Sequence, residues 1–139
     1  MIQMIVSDTI AFLAYLGSEI NGTTVDQTIV FDDVHTNLGG AYNGITGMFT
    51  APEAGTYVFS LTFMIRHTAP FLNYCELYIR RNNDFDIPVR ALSMTDPYGT
   101  ASGSTVMYLS KGDKVYVTTT TSKSYISSVY SYFSGYILG

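Results

Sequence analysis

From Gly55 to Ile65 a large apolar residue returns at every second position: Tyr57, Phe59, Leu61, Phe63 and Ile65 fall on one side, and Thr56, Ser60, Thr62 and Arg66 on the other. A period of two is the signature of an extended strand with one buried face, because successive side chains point to opposite sides of the backbone. Wound into a helix, the same five residues would split between two opposite faces, Tyr57, Leu61 and Ile65 on one and Phe59 and Phe63 on the other, so no single face would bury them all. Each large apolar side chain taken fully out of water contributes about 1.5–3 kcal/mol. The stripe therefore demands a facing layer.

The remainder supplies one. Turn-forming residues recur at Asn21-Gly22, Gly39-Gly40, Asn43-Gly44, Pro52 to Gly55, Pro70, Asn82 to Asp84, Pro97 to Gly99, Gly112-Asp113 and Ser122 to Ser124. Short segments rich in Val, Ile, Thr, Tyr and Phe lie between them, the rhythm of an all-β sandwich or barrel. Residues 10–16 are almost continuously apolar, as expected of a strand covered on both faces. Residues 28–34 read as the next strand, leading into an Asn37-Leu38-Gly39-Gly40 corner in which the Asn37 amide bonds nearby backbone and the glycines take conformations closed to other residues. Phe49 packs inward before the 51–55 turn. In residues 72–81, Cys75, Leu77 and Ile79 point in, and Tyr74, Glu76, Tyr78 and Arg80 point out. Residues 81–84 form a loop, and Asp96-Pro97-Tyr98-Gly99 has the pattern of a type I turn. Residues 100–109 and 114–121 are strands joined at Lys111-Gly112-Asp113. The last strand, 131–138, puts Phe133 and Ile137 inside and Tyr132 and Tyr136 on a second surface. No window repeats its apolar residues at helical spacing.

With 139 residues the chain makes one domain with a sizeable core. Charged residues are 13 % of the sequence, about half of the ~25 % usual in soluble domains. Part of the exterior is thus expected to meet another subunit, with Tyr132 and Tyr136 under that cover. The net charge of −4 and the scattered seven Lys and Arg make no basic stripe, which argues against nucleic-acid binding. No apolar run approaches the roughly 20 residues of a membrane helix, so membrane insertion is not expected. Residues 1–16 are apolar in places, but Ser7-Asp8-Thr9 interrupts them and no basic region precedes them, unlike a signal peptide.

Little in the sequence suggests reactive chemistry. The single cysteine, Cys75, excludes an internal disulfide and reads as a buried small hydrophobe. His35 and His67 stand far apart with no second thiol to complete a zinc site. No G-x-S-x-G elbow occurs, and glycine-rich 39–47 lacks the Lys-Ser/Thr ending and following helix of a phosphate loop. The expectation is a protein that is not an enzyme. Asn21-Gly22-Thr23 reads both as a hairpin turn and as an N-glycosylation sequon.

One set of intervals is more specific. Phe31, Asn37, Tyr42, Phe49, Gly55, Tyr57 and Phe59 follow one another at the spacing of the C1q globular domain signature, which runs from a Phe through Asn or Asp, an aromatic and a Phe to Gly-x-Tyr-x-Phe-x-aromatic. The one departure is Leu61 at the final aromatic, with Phe63 two residues on along the same face. Downstream, Ser102-Gly103-Ser104, Lys111 to Tyr116 and Tyr132-Phe133-Ser134-Gly135-Tyr136 match as well. The chain thus resembles the C1q family from about residue 10 to 138, leaving residues 1–9 as an N-terminal arm and 10–139 as the domain.

The resemblance implies a jelly-roll sandwich of about ten strands, C1q/TNF-like and assembling as a homotrimer. Without a Gly-x-y repeat it is similar to the stalkless C1q-domain proteins, many of them secreted, extracellular, lectin-like molecules of innate immunity. The leading expectation is a pattern-recognition protein that binds microbial or acidic glycans and requires no cofactor. The alternative is a non-lectin trimeric signalling or structural module with a protein partner. Sugars stack on aromatics and hydrogen-bond planar polar groups, which loops supply. Candidate ligand-binding residues are Arg81, Asn82, Asp84, Tyr98, Lys123 and Tyr125, with Arg90 a further cation for a sugar carboxylate. Family members can hold calcium through acids in the loop before Ser-Gly-Ser. Here that loop has Asp96 alone, and Gly99 stands where some relatives carry an acid, so such a site is short of ligands. Asp84 and Asp86 form the other acidic pair.

Overall fold

A computed structural model describes residues 9–66, 73–93, 98–121 and 124–139. In these residues twelve strands and no helix are found. They are β1 (Ala11–Tyr15), β2 (Ile20–Asn21), β3 (Asp33–Leu38), β4 (Tyr42–Asn43), β5 (Met48–Thr50), β6 (Gly55–Arg66), β7 (Asn73–Arg81), β8 (Phe85–Ser93), β9 (Tyr98–Leu109), β10 (Lys114–Thr119), β11 (Tyr125–Ile126) and β12 (Tyr132–Ile137). Residues 1–8, most of the expected arm, lie outside the described residues, as do His67, Pro70, Asp96, Pro97 and Lys123.

The alternating stretch is the centre of the molecule. β6 pairs with β9 over its whole length, Gly55↔Leu109 to Arg66↔Tyr98, and with β12 on its other side. β1, β3, β11 and β2 complete a seven-stranded sheet, and β4-β5-β10-β7-β8 form a five-stranded one. Tyr57, Phe59, Leu61, Phe63 and Ile65 are buried between the two, opposite Cys75, Leu77 and Ile79 from β7 and Val115 and Val117 from β10. At the edge where the sheets approach each other, Gly103 of β9 faces Val89 of β8 so closely that an added Cβ would lie 2.7 Å from Val89 Cγ2.

Aromatic rings hold one half of the sandwich together. Phe12 stacks on Tyr42 at 4.5 Å and contacts Phe49 and Phe133, while Phe59 touches both Phe49 and Phe133. Gly135 sits on β12 beneath these rings, where a Cβ would lie 2.6 Å from Phe59 Cδ1 and 2.8 Å from Phe12 Cε1. Its place in the signature is therefore a matter of volume. Tyr42 donates its hydroxyl to Phe31 O at 2.7 Å, and burial pushes that phenol well above its ordinary pKa. Asn37 locks the same corner from both sides, donating Nδ2 to Tyr42 O and accepting from Tyr42 N through Oδ1. The signature residues thus form one connected unit.

Three expectations need correction. Of residues 28–34, only Asp33 and Val34 belong to the next strand. Ile29 and Phe31 are buried there, but beyond an isolated Thr28↔Thr118 bridge the ladder begins only at Asp33 and runs through Asn37 to Leu38. Apolar content marked the burial, and hydrogen-bond partners placed the strand. Phe85–Ser93, not assigned from sequence, is a nine-residue edge strand. Pro88 within it is tolerated because an edge strand needs no partner on its outer side. The third concerns Asn21-Gly22. Gly22 does take φ +94°, yet no hairpin closes there, since Ile20–Asn21 pairs with the distant β11. In the sequon, Asn21 is exposed, but the Thr23 hydroxyl is buried, donating to Thr121 O and accepting from Ser124 N.

Candidate functional site

The outer face of the seven-stranded sheet is ordered in rows. Strand register lines up Val106, Val58, Tyr136, Ala11 and Leu38 straight across β9, β6, β12, β1 and β3. Tyr108 and Leu138 flank Thr56 in the row beside it, and Leu38, Val106, Tyr108, Tyr136 and Leu138 are between 47 and 63 % exposed. The next row is Ser104, Ser60, Ser134, Leu13 and Thr36, with Ser60 and Ser104 hydroxyls 2.8 Å apart. Thr62 and Ser102 repeat that contact one row further on, and there Tyr132 packs on Tyr15. Tyr132 and Tyr136 do face this second surface, Tyr136 exposed and Tyr132 half-buried.

At the far end of β6 the face drops into a cleft of about 550 Å³ lined by Met64, Arg66 and Tyr98, by Glu19, and by Ser127 to Tyr130. Arg66 is the only charge on β6. Its guanidinium lies 5.5 Å from the Tyr125 ring centroid, the range of a cation–π contact, and its terminal nitrogen is 3.5 Å from Glu19 Oε1. Arg66 Nε is buried without a hydrogen-bond partner among the described residues. The far wall is a tight turn in which Tyr130 N donates to Ser128 O at 2.7 Å and Val129 takes φ +68°. A β-branched residue is strained in that region, at about 1–3 kcal/mol. The turn leaves Tyr130 exposed beside the cleft. A smaller hollow on the other side of Val129 contains Tyr15, Asp33 and His35, with His35 Nε2 3.1 Å from Asp33 Oδ2.

The residues singled out from sequence separate into two groups at opposite ends of the sandwich. Tyr98 lines the cleft and Tyr125 supports Arg66. Arg81, Asn82 and Asp84 lie at the β7–β8 turn. Arg81 is paired with Asp84 at 3.3 Å and lies over Phe85. Asn82 takes φ +50°, and its side chain is committed to Asp113 and to the Lys114 amide. Of the other candidates, Arg90 pairs with Glu76 and Asp86 with Arg80, while Lys123 and Asp96 lie outside the described residues. Glu19 and Arg66 were missed as site residues. The available signal was the lone cation ending an otherwise uncharged strand. Cys75 is fully buried, and desolvation pushes its thiol up, as for an inert core residue.

The C1q domain family profile matches residues 11–138. This chain belongs to the C1q family. The C1q domain is 36 % identical over 132 residues to Caprin-2 of Danio rerio, covering 93 % of this chain and 14 % of that protein. It is 32 % identical over 111 residues to heavy metal-binding protein HIP of Mytilus edulis, covering 80 % of this chain and 50 % of the other. The chain therefore spans half or less of these curated relatives. Among solved structures, the globular domain of zebrafish complement 1qA superposes with a TM-score of 0.74 at 19 % identity, over 94 % of this chain and 98 % of that one. This likeness places the C1q domain in the jelly-roll fold.

Proposed function

We propose that this C1q domain is a secreted, non-enzymatic recognition module that assembles as a homotrimer and binds glycans of microbial surfaces, as an element of innate immunity. The observation that carries the reading is the division of one sheet face into an apolar end and a polar, aromatic-lined cleft. From Val58 to Arg66 the two ends are separated by about 26 Å at roughly 3.3 Å per residue. A second copy seated on the apolar row would cover the exposed tyrosines and account for the shortage of charge. It would leave the cleft open, and repeated clefts would supply avidity. Residues 10–139 would form the folded unit.

A second reading, a trimer that binds a protein partner, draws on a different surface. On the outside of β7 and β8, Arg90 lies over Tyr74 and Arg80 over Tyr78, residue types that concentrate binding energy at protein interfaces. Metal binding, which the mussel relative's name carries, lacks such support, since no group of three or more His, Cys, Asp or Glu converges among the described residues.

Light scattering on the purified protein combined with a glycan array tests the proposal. A trimer that Val106→Glu dissociates, with saturable glycan binding, supports it. A monomer at micromolar concentration sinks the assembly. A blank array on a folded trimer favours the protein partner.

A further inference from the structure

We infer that the cleft between Arg66 and Tyr130 is the saccharide site and that it takes a neutral hexopyranose through a vicinal diol, not an acidic sugar. The inference rests on the lectin reading above and specifies the ligand class. Its ground is the pairing of opposite charges on one wall. Glu19 lies close enough to Arg66, 3.5 Å, to offset its charge, yet the pair is longer than a tight charge-assisted contact. An incoming carboxylate would meet the Glu19 carboxylate, on a chain whose net charge is already −4. Two adjacent hydroxyls suit the pair instead, one accepting from the guanidinium and the other donating to Glu19.

The rest of the cleft fits a sugar ring. Tyr125 holds the Arg66 guanidinium from one side. Nε is buried and the side chain is 42 % exposed, so its accessible surface belongs to other atoms. Tyr98 and Tyr130, both more than half exposed, offer aromatic faces to the apolar side of a pyranose, and Ser127 and Ser128 add hydroxyls. The volume, about 550 Å³, is within the ordinary range of small-molecule sites.

Titration of the purified protein, followed by saturation-transfer NMR, should use four probes. Methyl α-D-mannopyranoside and methyl β-D-galactopyranoside are neutral, and methyl β-D-glucuronide and N-acetylneuraminic acid are acidic. At least one neutral glycoside is expected to saturate in the millimolar range, with Glu19→Gln and Tyr130→Ala each weakening it about tenfold. Tyr98→Ala provides a second aromatic variant at an exposed position if Tyr130→Ala misfolds. Neutral-sugar binding unchanged in every variant would place the site elsewhere and overturn the assignment. Acidic probes binding in place of neutral ones, more tightly in Glu19→Gln, would overturn the ligand class and leave the lectin reading standing. No binding by any probe, with a blank array on the same folded protein, would remove both.

Discussion

Replacing Gly135 by alanine adds one carbon where none fits. The new Cβ would lie 2.6 Å from Phe59 Cδ1 and 2.8 Å from both Phe59 Cε1 and Phe12 Cε1. Neither ring has room to retreat, because Phe59 is held against Phe49 and Phe133, and Phe12 against Tyr42. Overpacking a filled core costs about 1–3 kcal/mol, and rings confined on both sides put this case near the upper end. An unfolding entropy of about 2.1 cal/mol/K per residue makes about 0.29 kcal/mol/K for this chain, so a loss of 3 kcal/mol lowers Tm by about 10 °C. The assay is thermal and urea unfolding at one fixed protein concentration, since assembly shifts apparent stability. Pairing Gly135→Ala with Phe59→Leu makes space at the clash, so the double variant should lose less than the sum of the two single changes. A melting point within about 3 °C of the parent, or strictly additive losses, would refute the steric account.

Three further outcomes follow from the same contacts. Asn37→Ala removes both hydrogen bonds to the Tyr42 backbone and should cost about 1–3 kcal/mol in urea unfolding; an unchanged midpoint would show that water replaces them. Hydrogen bonds from the Ser110 amide and then the Asn82 side chain hold the Asp113 carboxyl below its ordinary 3.8. Its contribution is therefore present above pH 3.8 and lost as pH falls through the lower folded value, so Asp113→Asn should flatten the acid limb of the stability curve, and two superimposable limbs would contradict this. Cys75 should resist a thiol reagent in the native protein and react fully in urea; rapid native labelling would mean that the β7 side of the core opens.

How much was legible depended on how local the controlling contacts are. The alternation of β6 was readable because burial of one strand face imposes a period of two on adjacent residues. The fixed intervals from Phe31 to Phe59, with Gly135 far downstream, were readable because one aromatic cluster needs all of those positions. β8 escaped notice because Asp86, Pro88 and Arg90 interrupt the inward residues Ile87, Val89 and Ala91, and only the pairing with β7 makes those outward residues acceptable at an edge. The strand bounds at 28–34 were misplaced for the opposite reason, since Ile29 and Phe31 are buried where the only pairing is an isolated bridge at Thr28 and one hydrogen bond from Ile29 N to Val117 O.

The cleft shows the same limit more sharply. Glu19, Arg66, Tyr98 and Tyr130 are far apart in the chain; Tyr98 was legible as a loop aromatic and Arg66 as a lone cation, but nothing local joins the four. The sequence by itself determined the two-layer sandwich, the inward residues and the family, because burial and close packing leave periodic traces. Tertiary structure alone decided which rows share the outer face of the large sheet and which opposite charges meet at its end. Strand register brings distant segments together, and those contacts leave no mark in any one of them.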